Sequence, residues 1–448
     1  MAPTLKASEP GLAKIKQARN ERGWTIEDDR WLLEASKILK PEQEWQPGCY
    51  ADGCSETTWK RFLRGQPITS PVFKAFCQIL ELNWEEIVDR SMLREATSDF
   101  VESKQPAVNS RRNWGEALLE FDAFYGRTDE LTMLKQWIVE DACHVVALVG
   151  MGGIGKTALS VKLAQQIQDK FDYVVWRSLR DDQPPPLSKL LVDWLQYFSG
   201  QPESSLPTSA SDRISQLLDY LRQYRCLLIL DAWEVVLSSG KLVGHYLESY
   251  EGYGELIRRV GASEHRSCLI LTSREKPREV VFLERDMQYV RSLKLEGLGI
   301  AAREIFQQQH LSDEHKWEEV IHPYEGNPLA LKIVAAMIQE FFDGSVATFL
   351  KNPTLFLGEL EFLLYQQLAR LSTLEQNIMN CLATNEHPLN PIQIKLQINP
   401  SILQSDILNA LQSLDRRCLV EKVKQEFEIL FTLQPVVKKY IKKQSLNS

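Results

Sequence analysis

The stretch Gly150-Met151-Gly152-Gly153-Ile154-Gly155-Lys156-Thr157 decides the fold of this chain. It follows the apolar, strand-like segment 145–149 and leads into a helix-like segment that begins at Ala158. A strand, the pattern G-x-x-x-x-G-K-T and a helix predict a P-loop, because the glycines let successive backbone N–H groups curl around phosphate oxygens. We expect Lys156 to reach the β- and γ-phosphates of a nucleotide and the Thr157 hydroxyl to ligate Mg²⁺.

The same glycines also spell the dinucleotide pattern G-x-G-x-x-G. That pattern requires an acidic residue at the end of the next strand, where a carboxylate accepts hydrogen bonds from the ribose hydroxyls. Here the next strand-like segment, 173–176, is followed by Arg177 and Ser178. A basic residue offers no acceptor, so the sequence favours a nucleoside triphosphate over a dinucleotide.

Length and composition are those of a globular chain. With 448 residues, 44% of them hydrophobic and 25% charged, we expect about three domains. The net charge of -8 argues against a general affinity for nucleic acids or membranes, and no apolar run has the roughly 18 residues of a membrane span. The N-terminus lacks the apolar core of a signal peptide, and the scattered cysteines favour a cytoplasmic location. Cys49 and Cys54 are close, but no second pair with zinc-ligand spacing follows, so a zinc site is not favoured.

Apolar strands alternate with helical patterns in the middle of the chain. The strands are expected near 145–149, 173–176, 226–230 and 268–272, and this alternation predicts a doubly wound parallel sheet of α/β class. From about residue 293 amphipathic helices take over, and a short apolar strand is expected at 427–431.

A second strand supplies an acid for the nucleotide site. The segment 227–231 is an apolar strand that ends in Asp231, as a Walker B motif requires, so Asp231 is expected to hold the Mg²⁺ shell. The next position is Ala232, where a hydrolytic NTPase often has a second acid. Glu234 is close enough to substitute for it, or it is a surface residue; we expect slow hydrolysis in either case.

Arg274 follows the next strand at the same edge of the sheet. Its guanidinium can sense a γ-phosphate, because it forks onto phosphate oxygens. The alternative is an arginine that pairs with Glu275 or Glu279 on the surface.

Taken together, these ordered motifs resemble the NB-ARC family of signal-transduction NTPases over residues 115–443. The resemblance implies that Phe124, Tyr125, Gly126 and Arg127 border the adenine and that Pro328, in the turn Gly326-Asn327-Pro328-Leu329, packs on it. It assigns the phosphates to the loop from Gly150 to Ala158, with Asp231 and Arg274 as Walker B and sensor residues. It also implies that ATP/ADP exchange reorients a helical domain and a winged-helix domain.

One family motif departs from its usual form. The Met-His-Asp motif maps best onto Leu433-Gln434-Pro435. In ADP-bound members the histidine contacts the β-phosphate; Gln434 can donate a hydrogen bond but cannot be protonated, and Pro435 cannot replace the acid. Gln434 is therefore either a nucleotide contact or a winged-helix residue without one.

The N-terminal segment resembles a Cro-type helix-turn-helix with an enlarged segment at 26–52. Residues 55–64 would be the recognition helix, and its candidate DNA contacts are Thr57, Thr58, Lys60, Arg61 and Arg64. Acids slightly outnumber bases over residues 1–99, which is atypical of a DNA-binding domain. Protein interaction is therefore favoured over DNA binding.

These inferences give one organisation and three candidate functions. The expected segments are a helix-turn-helix-like domain at 1–95, a linker at 96–116, a P-loop domain at 117–292, a helical domain at 293–370 and a winged-helix domain at 371–448. The favoured function is a nucleotide-dependent switch that ADP holds closed and that ATP with Mg²⁺ opens for self-association or for an effector protein. An ATP-regulated transcription regulator and a simple ATPase are the alternatives. The sensor repeat array usual in the family does not follow the winged helix, so we leave open what supplies that role.

Overall fold

The computed structural model describes residues 4–22, 28, 30–39, 50–51, 54–89, 111–115, 117, 123–180, 183–351, 358, 360–425 and 428–447. The chain divides into two compact units, Met1–Gln105 and Pro106–Ser448. Among the described residues, no helix is both long and apolar enough to cross a membrane.

The first unit is a small bundle of helices around an aromatic core. Its elements are β1 (Thr4–Leu5), α1 (Glu9–Arg22), α2 (Arg30–Leu39), α3 (Glu56–Leu63), β2 (Ile68–Thr69), α4 (Ser70–Ile79) and α5 (Trp84–Ile87). The rings of Trp31 and Trp59 stack at 4.7 Å between centroids, and Phe62 and Phe76 pack against Trp59. The helices α4 and α5 are separate, because Glu81 between them adopts a left-handed φ of 58°.

The second unit is built on a parallel sheet, which confirms the predicted α/β class. Its strands are β3 (Arg112–Asn113), β4 (Val145–Val149), β5 (Tyr173–Ser178), β6 (Cys226–Asp231), β7 (Cys268–Ser273) and β8 (Val290–Lys294). Within the described residues they are hydrogen-bonded in the order β3-β5-β6-β7-β4-β8, and every pair is parallel. The four inner strands, β4 to β7, are the apolar runs that the sequence predicts, because strands covered on both faces read as continuous hydrophobic segments.

The two edge strands are not predicted from the sequence. β3 lies inside the segment for which a linker was expected, and β8 lies where helices were expected to begin. Both carry polar side chains that are partly exposed, with Arg112 and Asn113 in β3 and Arg291 in β8. An edge strand has neighbours on one side only, so it shows no continuous apolar run.

Helices cover both faces of the sheet. They are α6 (Thr128–Lys135), α7 (Lys156–Ile167), α8 (Leu187–Ser199), α9 (Ala210–Gln223), α10 (Gly252–Ala262) and α11 (Arg278–Asp286). In β4, Val146 and Leu148 pack with α6 and α7, whereas Val145 and Val149 pack on the opposite face with α8 to α10. Because β4 lies between β7 and β8, the P-loop that follows it opens at the carboxyl ends of these neighbouring strands.

The rest of the second unit is mainly helical. Its elements are α12 (Ala302–Gln308), α13 (Trp317–Ile321), α14 (Pro328–Phe342), α15 (Val346–Leu350), α16 (Leu360–Leu368), α17 (Thr373–Thr384), α18 (Pro391–Ile398), α19 (Gln404–Arg416), β9 (Glu421–Gln425), β10 (Glu428–Thr432) and α20 (Pro435–Asn447). One apolar core runs through these elements from Ala302 to Ile441 and includes Met151 of the P-loop. The P-loop is therefore packed against the C-terminal helices.

Candidate nucleotide-binding site

The P-loop has the backbone that its glycines predict. Gly153 and Gly155 adopt left-handed φ values of 78° and 99°, and α7 begins at Lys156 directly after them. A Cβ atom at Gly153 would lie 2.8 Å from the Cβ of Leu329, so only glycine fits there. The N-terminus of α7 thus points its free N–H groups at the position where a phosphate would lie.

Lys156 is held inside the curve of this loop. Its ammonium group donates hydrogen bonds to the backbone oxygens of Gly150 at 2.8 Å and Met151 at 2.9 Å. Burial lowers the pKa of Lys156 to about 8, and the carboxylates of Glu234 and Asp231 oppose that shift. A phosphate at this position would supply the negative charge that favours the ammonium form.

Thr157 and Asp231 meet at the edge of the sheet. The Thr157 hydroxyl donates to Asp231 Oδ1 at 2.6 Å, and the Thr272 hydroxyl donates to the same oxygen at 2.7 Å. Asp231 is buried, and its Oδ2 lies 3.7 Å from Nε of Arg180. A hydroxyl and a carboxylate oxygen are ligands that Mg²⁺ prefers, so these donors fit the expected cation, which would neutralise phosphate charge.

Glu234 and Arg274 form a pair beside the P-loop. Glu234 Oε1 lies 3.3 Å from Arg274 Nε, and Glu234 Oε2 accepts a hydrogen bond from the Arg274 backbone at 3.1 Å. Glu234 is buried, so it is not the surface residue considered as its alternative. The partner of Arg274 is Glu234 rather than Glu275 or Glu279. The Arg274 guanidinium carbon would lie 3.6 Å from a Cβ atom at Gly152, so it faces the loop.

A cavity of about 180 Å³ opens from the P-loop toward the helices. It is lined by the predicted residues Phe124, Tyr125, Arg127, Gly153, Ile154, Gly155, Ala158 and Pro328, together with Leu298, Leu329 and Lys332. Gly126 lies between two of these with a left-handed φ of 56°. Aromatic and apolar walls next to a phosphate-binding loop fit a planar base.

The guanidinium of Arg127 is bound to protein groups at the floor of this cavity and does not present an unpaired charge to it. Its guanidinium donates to the backbone oxygens of Ile154 at 3.0 Å and Glu296 at 2.7 Å, and it pairs with Glu130 at 2.6 Å. The side chain is buried, so these contacts tie the segment before α6 to the P-loop.

Two residues from the C-terminal helices contact the P-loop at Gly152. The Asn327 amide donates to the Gly152 oxygen at 3.0 Å, and the Gly152 N–H lies 3.5 Å from Oε1 of Gln367. Gln367 is buried in α16 and donates to the Arg417 oxygen at 3.2 Å. Sequence reasoning missed Gln367, because a glutamine inside an amphipathic helix carries no motif.

Gln434 is placed at the start of α20. Its backbone oxygen accepts the bond from the Lys438 N–H at 2.9 Å, and its side chain is half-buried. Within the described part of the chain, the Gln434 side chain makes no hydrogen bond to the P-loop. The glutamine that reaches the P-loop is Gln367.

In the first unit, three of the five candidate DNA contacts are engaged with residues close to them in sequence, and Thr57 is exposed. The Thr58 hydroxyl lies 2.9 Å from that of Ser55, Lys60 pairs with Glu56, and Arg61 donates to the Pro67 oxygen at 2.9 Å. Arg64 is exposed at the end of α3.

For the zinc site considered above, Cys54 is buried with a raised pKa, and Cys49 lies outside the described residues. No cluster of metal-ligating side chains occurs in the described ranges.

Comparison with known proteins places the site in a family. Residues 127–244 match the NB-ARC domain. An uncharacterised WD repeat-containing protein of Nostoc sp. is 44% identical over 457 residues, an alignment that covers 98% of this chain and 36% of that protein. The chain thus spans about a third of the length of this relative.

Two further similarities are more limited. The tomato (Solanum lycopersicum) ToMV resistance protein Tm-2(2) is 32% identical over 114 residues, which is 25% of this chain and 12% of that protein. A Walker-type ATPase of Pyrococcus abyssi superposes with a TM-score of 0.46 at 13% identity, over 71% of this chain and 96% of that chain. The matched segment contains the P-loop, Lys156 and Asp231, and the chain therefore carries an NB-ARC domain with a nucleotide-binding P-loop.

Proposed function

We propose that this chain is an ATP/ADP-dependent molecular switch for signal transduction, closed with ADP and opened by ATP with Mg²⁺. The observation that supports the proposal most directly is the pair of contacts at Gly152. Asn327 caps the N-terminus of α14 and Gln367 lies in α16, and both reach the P-loop backbone. A change at the phosphates therefore acts on the helices that follow the sheet.

The Arg274–Glu234 ion pair can distinguish ATP from ADP, because only ATP carries a γ-phosphate. A γ-phosphate would compete with Glu234 for the Arg274 guanidinium, because arginine binds phosphate through two parallel hydrogen bonds. Glu234 would then be released toward the attacking water. The carboxylate follows Asp231 by three positions and starts from an ion pair, so hydrolysis is slow and the ATP state persists.

The two terminal regions complete the proposal. We assign the first unit to protein interaction, because three of its five candidate DNA contacts are engaged locally; retention of duplex DNA at physiological salt would overturn this. We assign residues 371–448 to a winged-helix domain that moves with the nucleotide state, in a protein that acts in the cytoplasm. Because the Nostoc relative is named for WD repeats, we propose that a repeat array supplies the signal.

Light scattering coupled to size-exclusion chromatography tests the switch. The purified chain is compared with Mg-ADP and with a non-hydrolysable ATP analogue and Mg²⁺. We expect a monomer with ADP and a larger assembly with the analogue. Equal masses, together with equal protease sensitivity of the C-terminal helices, would reject the proposal. Chromatography of the denatured protein identifies the nucleotide that co-purifies, and we expect ADP.

Gln367→Leu is expected to speed the release of ADP. The change removes the side chain that joins the Gly152 N–H to the Arg417 oxygen, and a net hydrogen bond of about 0.5–1.5 kcal/mol corresponds to about a 2- to 12-fold faster rate. Stopped-flow release of a fluorescent ADP analogue measures it. Gln434→Leu is the matched control, and its rate of ADP release should equal that of the wild type. Faster release in Gln434→Leu and an unchanged rate in Gln367→Leu would instead assign the nucleotide-dependent contact to Gln434.

Glu234→Gln is expected to abolish the residual ATP hydrolysis while ATP affinity changes little. The amide keeps the size of the side chain and removes the carboxylate that can accept a proton from water. Phosphate release under single-turnover conditions measures the rate, and Glu248→Gln, a solvent-exposed control, should match the wild type. A wild-type turnover near the enzyme median of about 10 per second would instead favour a simple ATPase.

A further inference from the structure

A second cavity, of about 360 Å³, lies where α11 and β8 meet α19. It lies on the opposite face of the sheet from α7 and shares no lining residue with the cavity of about 180 Å³ beside the P-loop. Its charged lining residues are Lys276, Glu284, Arg285, Lys294, Asp415 and Arg416. Four cations and two carboxylates leave the lining with an excess of two positive charges.

Both carboxylates are already engaged. Glu284 pairs with Lys276 and accepts hydrogen bonds from the Ser292 N–H and hydroxyl, both at 2.9 Å. Asp415 pairs at 2.6 Å with Lys422, which lies outside the cavity. Lys294 pairs with Glu296, which lies outside the cavity, at 3.0 Å. The carboxylates therefore leave Arg285 and Arg416 without an ion pair among the described residues.

Arg285 and Arg416 are the unsatisfied pair. Among the described residues, neither guanidinium makes a hydrogen bond or an ion pair. Arg285 is exposed at the end of α11, and Arg416 is half-buried at the end of α19. Burial and the neighbouring charge of Arg285 both lower the pKa of Arg416, and the charge of Asp415 opposes that shift, so the two arginines repel each other across the cavity beside a carboxylate that also pairs with Lys422.

We propose that this cavity is a binding site for a compact phosphate-bearing small molecule that bridges Arg285 and Arg416. Two forked guanidinium groups match the geometry of phosphate oxygens, and one phosphate group supplies about the two negative charges that the lining lacks. Nothing in the nucleotide switch requires this site, so the inference goes beyond the proposed function.

The position of the site makes it regulatory. The Lys276 N–H donates to the Arg416 oxygen at 2.9 Å, so the cavity spans the contact between the sheet and α19. Its wall also includes Val149, the residue directly before Gly150 of the P-loop. A bridging anion replaces repulsion with attraction at this contact, and it therefore favours the closed arrangement.

Isothermal titration with inorganic pyrophosphate tests the site in two backgrounds. One is the full chain saturated with ADP in magnesium-free buffer, and the other is Lys156→Ala, in which the P-loop does not compete for the probe. We expect binding in both, weakened about tenfold or more by Arg285→Gln and by Arg416→Gln. The control is Arg266→Gln, which should leave the affinity unchanged. Arg266 is exposed and precedes the N-terminal end of β7, whereas the cavity lies beyond the C-terminal end of that strand.

Thermal unfolding separates binding from structure. In phosphate-free buffer Arg285→Gln and Arg416→Gln should unfold at the same temperature as the wild type or above it, since each removes a repulsion. In the Lys156→Ala background, pyrophosphate should raise the unfolding temperature of the parent protein and of Arg266→Gln only.

Four results would overturn the inference. The first is that pyrophosphate binds in neither background, and the second is that it binds the ADP-saturated chain but not Lys156→Ala. The third is that all three arginine variants bind pyrophosphate with equal affinity. The fourth is that oligoglutamate binds tightly and pyrophosphate does not. None of them bears on the switch, whose test uses ADP and an ATP analogue.

Discussion

Lys156→Ala is expected to weaken the binding of both ATP and ADP by about two orders of magnitude or more. The ammonium group already donates two hydrogen bonds inside the P-loop, to Gly150 and Met151, so it is positioned where phosphate oxygens would replace those carbonyls. Hydrogen bonds to charged groups contribute about 1.5–3 kcal/mol each, and two of them correspond to at least a hundredfold change in affinity. Isothermal titration with Mg-ATP and with ADP measures the loss.

The control for this experiment lies on the same helix. Lys162→Ala removes a half-buried lysine of α7 that lines neither cavity, and its nucleotide affinity should equal that of the wild type. Circular dichroism checks that both variants are folded. If Lys156→Ala folds and binds nucleotide with near-unchanged affinity, the P-loop is not the nucleotide-binding site.

Arg417→Met is expected to cost about 3–5 kcal/mol of the free energy of unfolding. The Arg417 side chain is 1% exposed, and it pairs with Glu275 at 2.5 Å and with Glu375 at 3.1 Å. It also donates to the Lys241 oxygen at 2.8 Å. Methionine fills similar space but leaves the carboxylates buried with fewer partners. Urea unfolding followed by tryptophan fluorescence measures the loss, and Arg416→Gln, one position earlier, is the control without it.

The loss should also depend on pH. Burial raises the pKa of Glu275, and Arg370 and Arg417 oppose that shift. The folded protein therefore holds this proton more tightly than the unfolded chain, so the carboxyl group stabilises the fold most at low pH and least above its folded pKa. Removal of Arg417 raises the pKa further. The deficit of Arg417→Met should thus be largest at neutral pH and shrink on acidification; a deficit that grows toward low pH would contradict this account.

Most of the central sheet could be predicted from the sequence because its inner strands are buried on both faces. The segments 145–149 and 226–230 are uninterrupted apolar runs, and the P-loop adds a local backbone requirement that glycine alone meets. Phosphate binding by backbone N–H groups is likewise local in sequence. The edge strands β3 and β8 lack such a run, so they could not be predicted in this way.

The residues that join the P-loop to the C-terminal helices could not be predicted, for a different reason. Gln367 is 215 residues from Gly152, and Arg417 is 142 residues from Glu275. Gln367 lies in a helix and Arg417 directly follows one; each is an ordinary polar residue whose role exists only once the helices have packed. Glu234 shows the same limit, since its burial against Arg274 depends on two separate strands.

The two arginines on Glu275 have a consequence for how this sequence can diverge. Arg370 at 2.6 Å and Arg417 at 2.5 Å share one oxygen, Oε1, whereas the buried Oε2 has no hydrogen-bond partner among the described residues. Loss of Glu275 removes a carboxylate partner from two arginines at once, and loss of either arginine changes the contribution of the other, so the effects on stability will not add. We expect these three positions to change together during evolution. A single substitution at any one of them is destabilising, so substitutions are accepted only in combination.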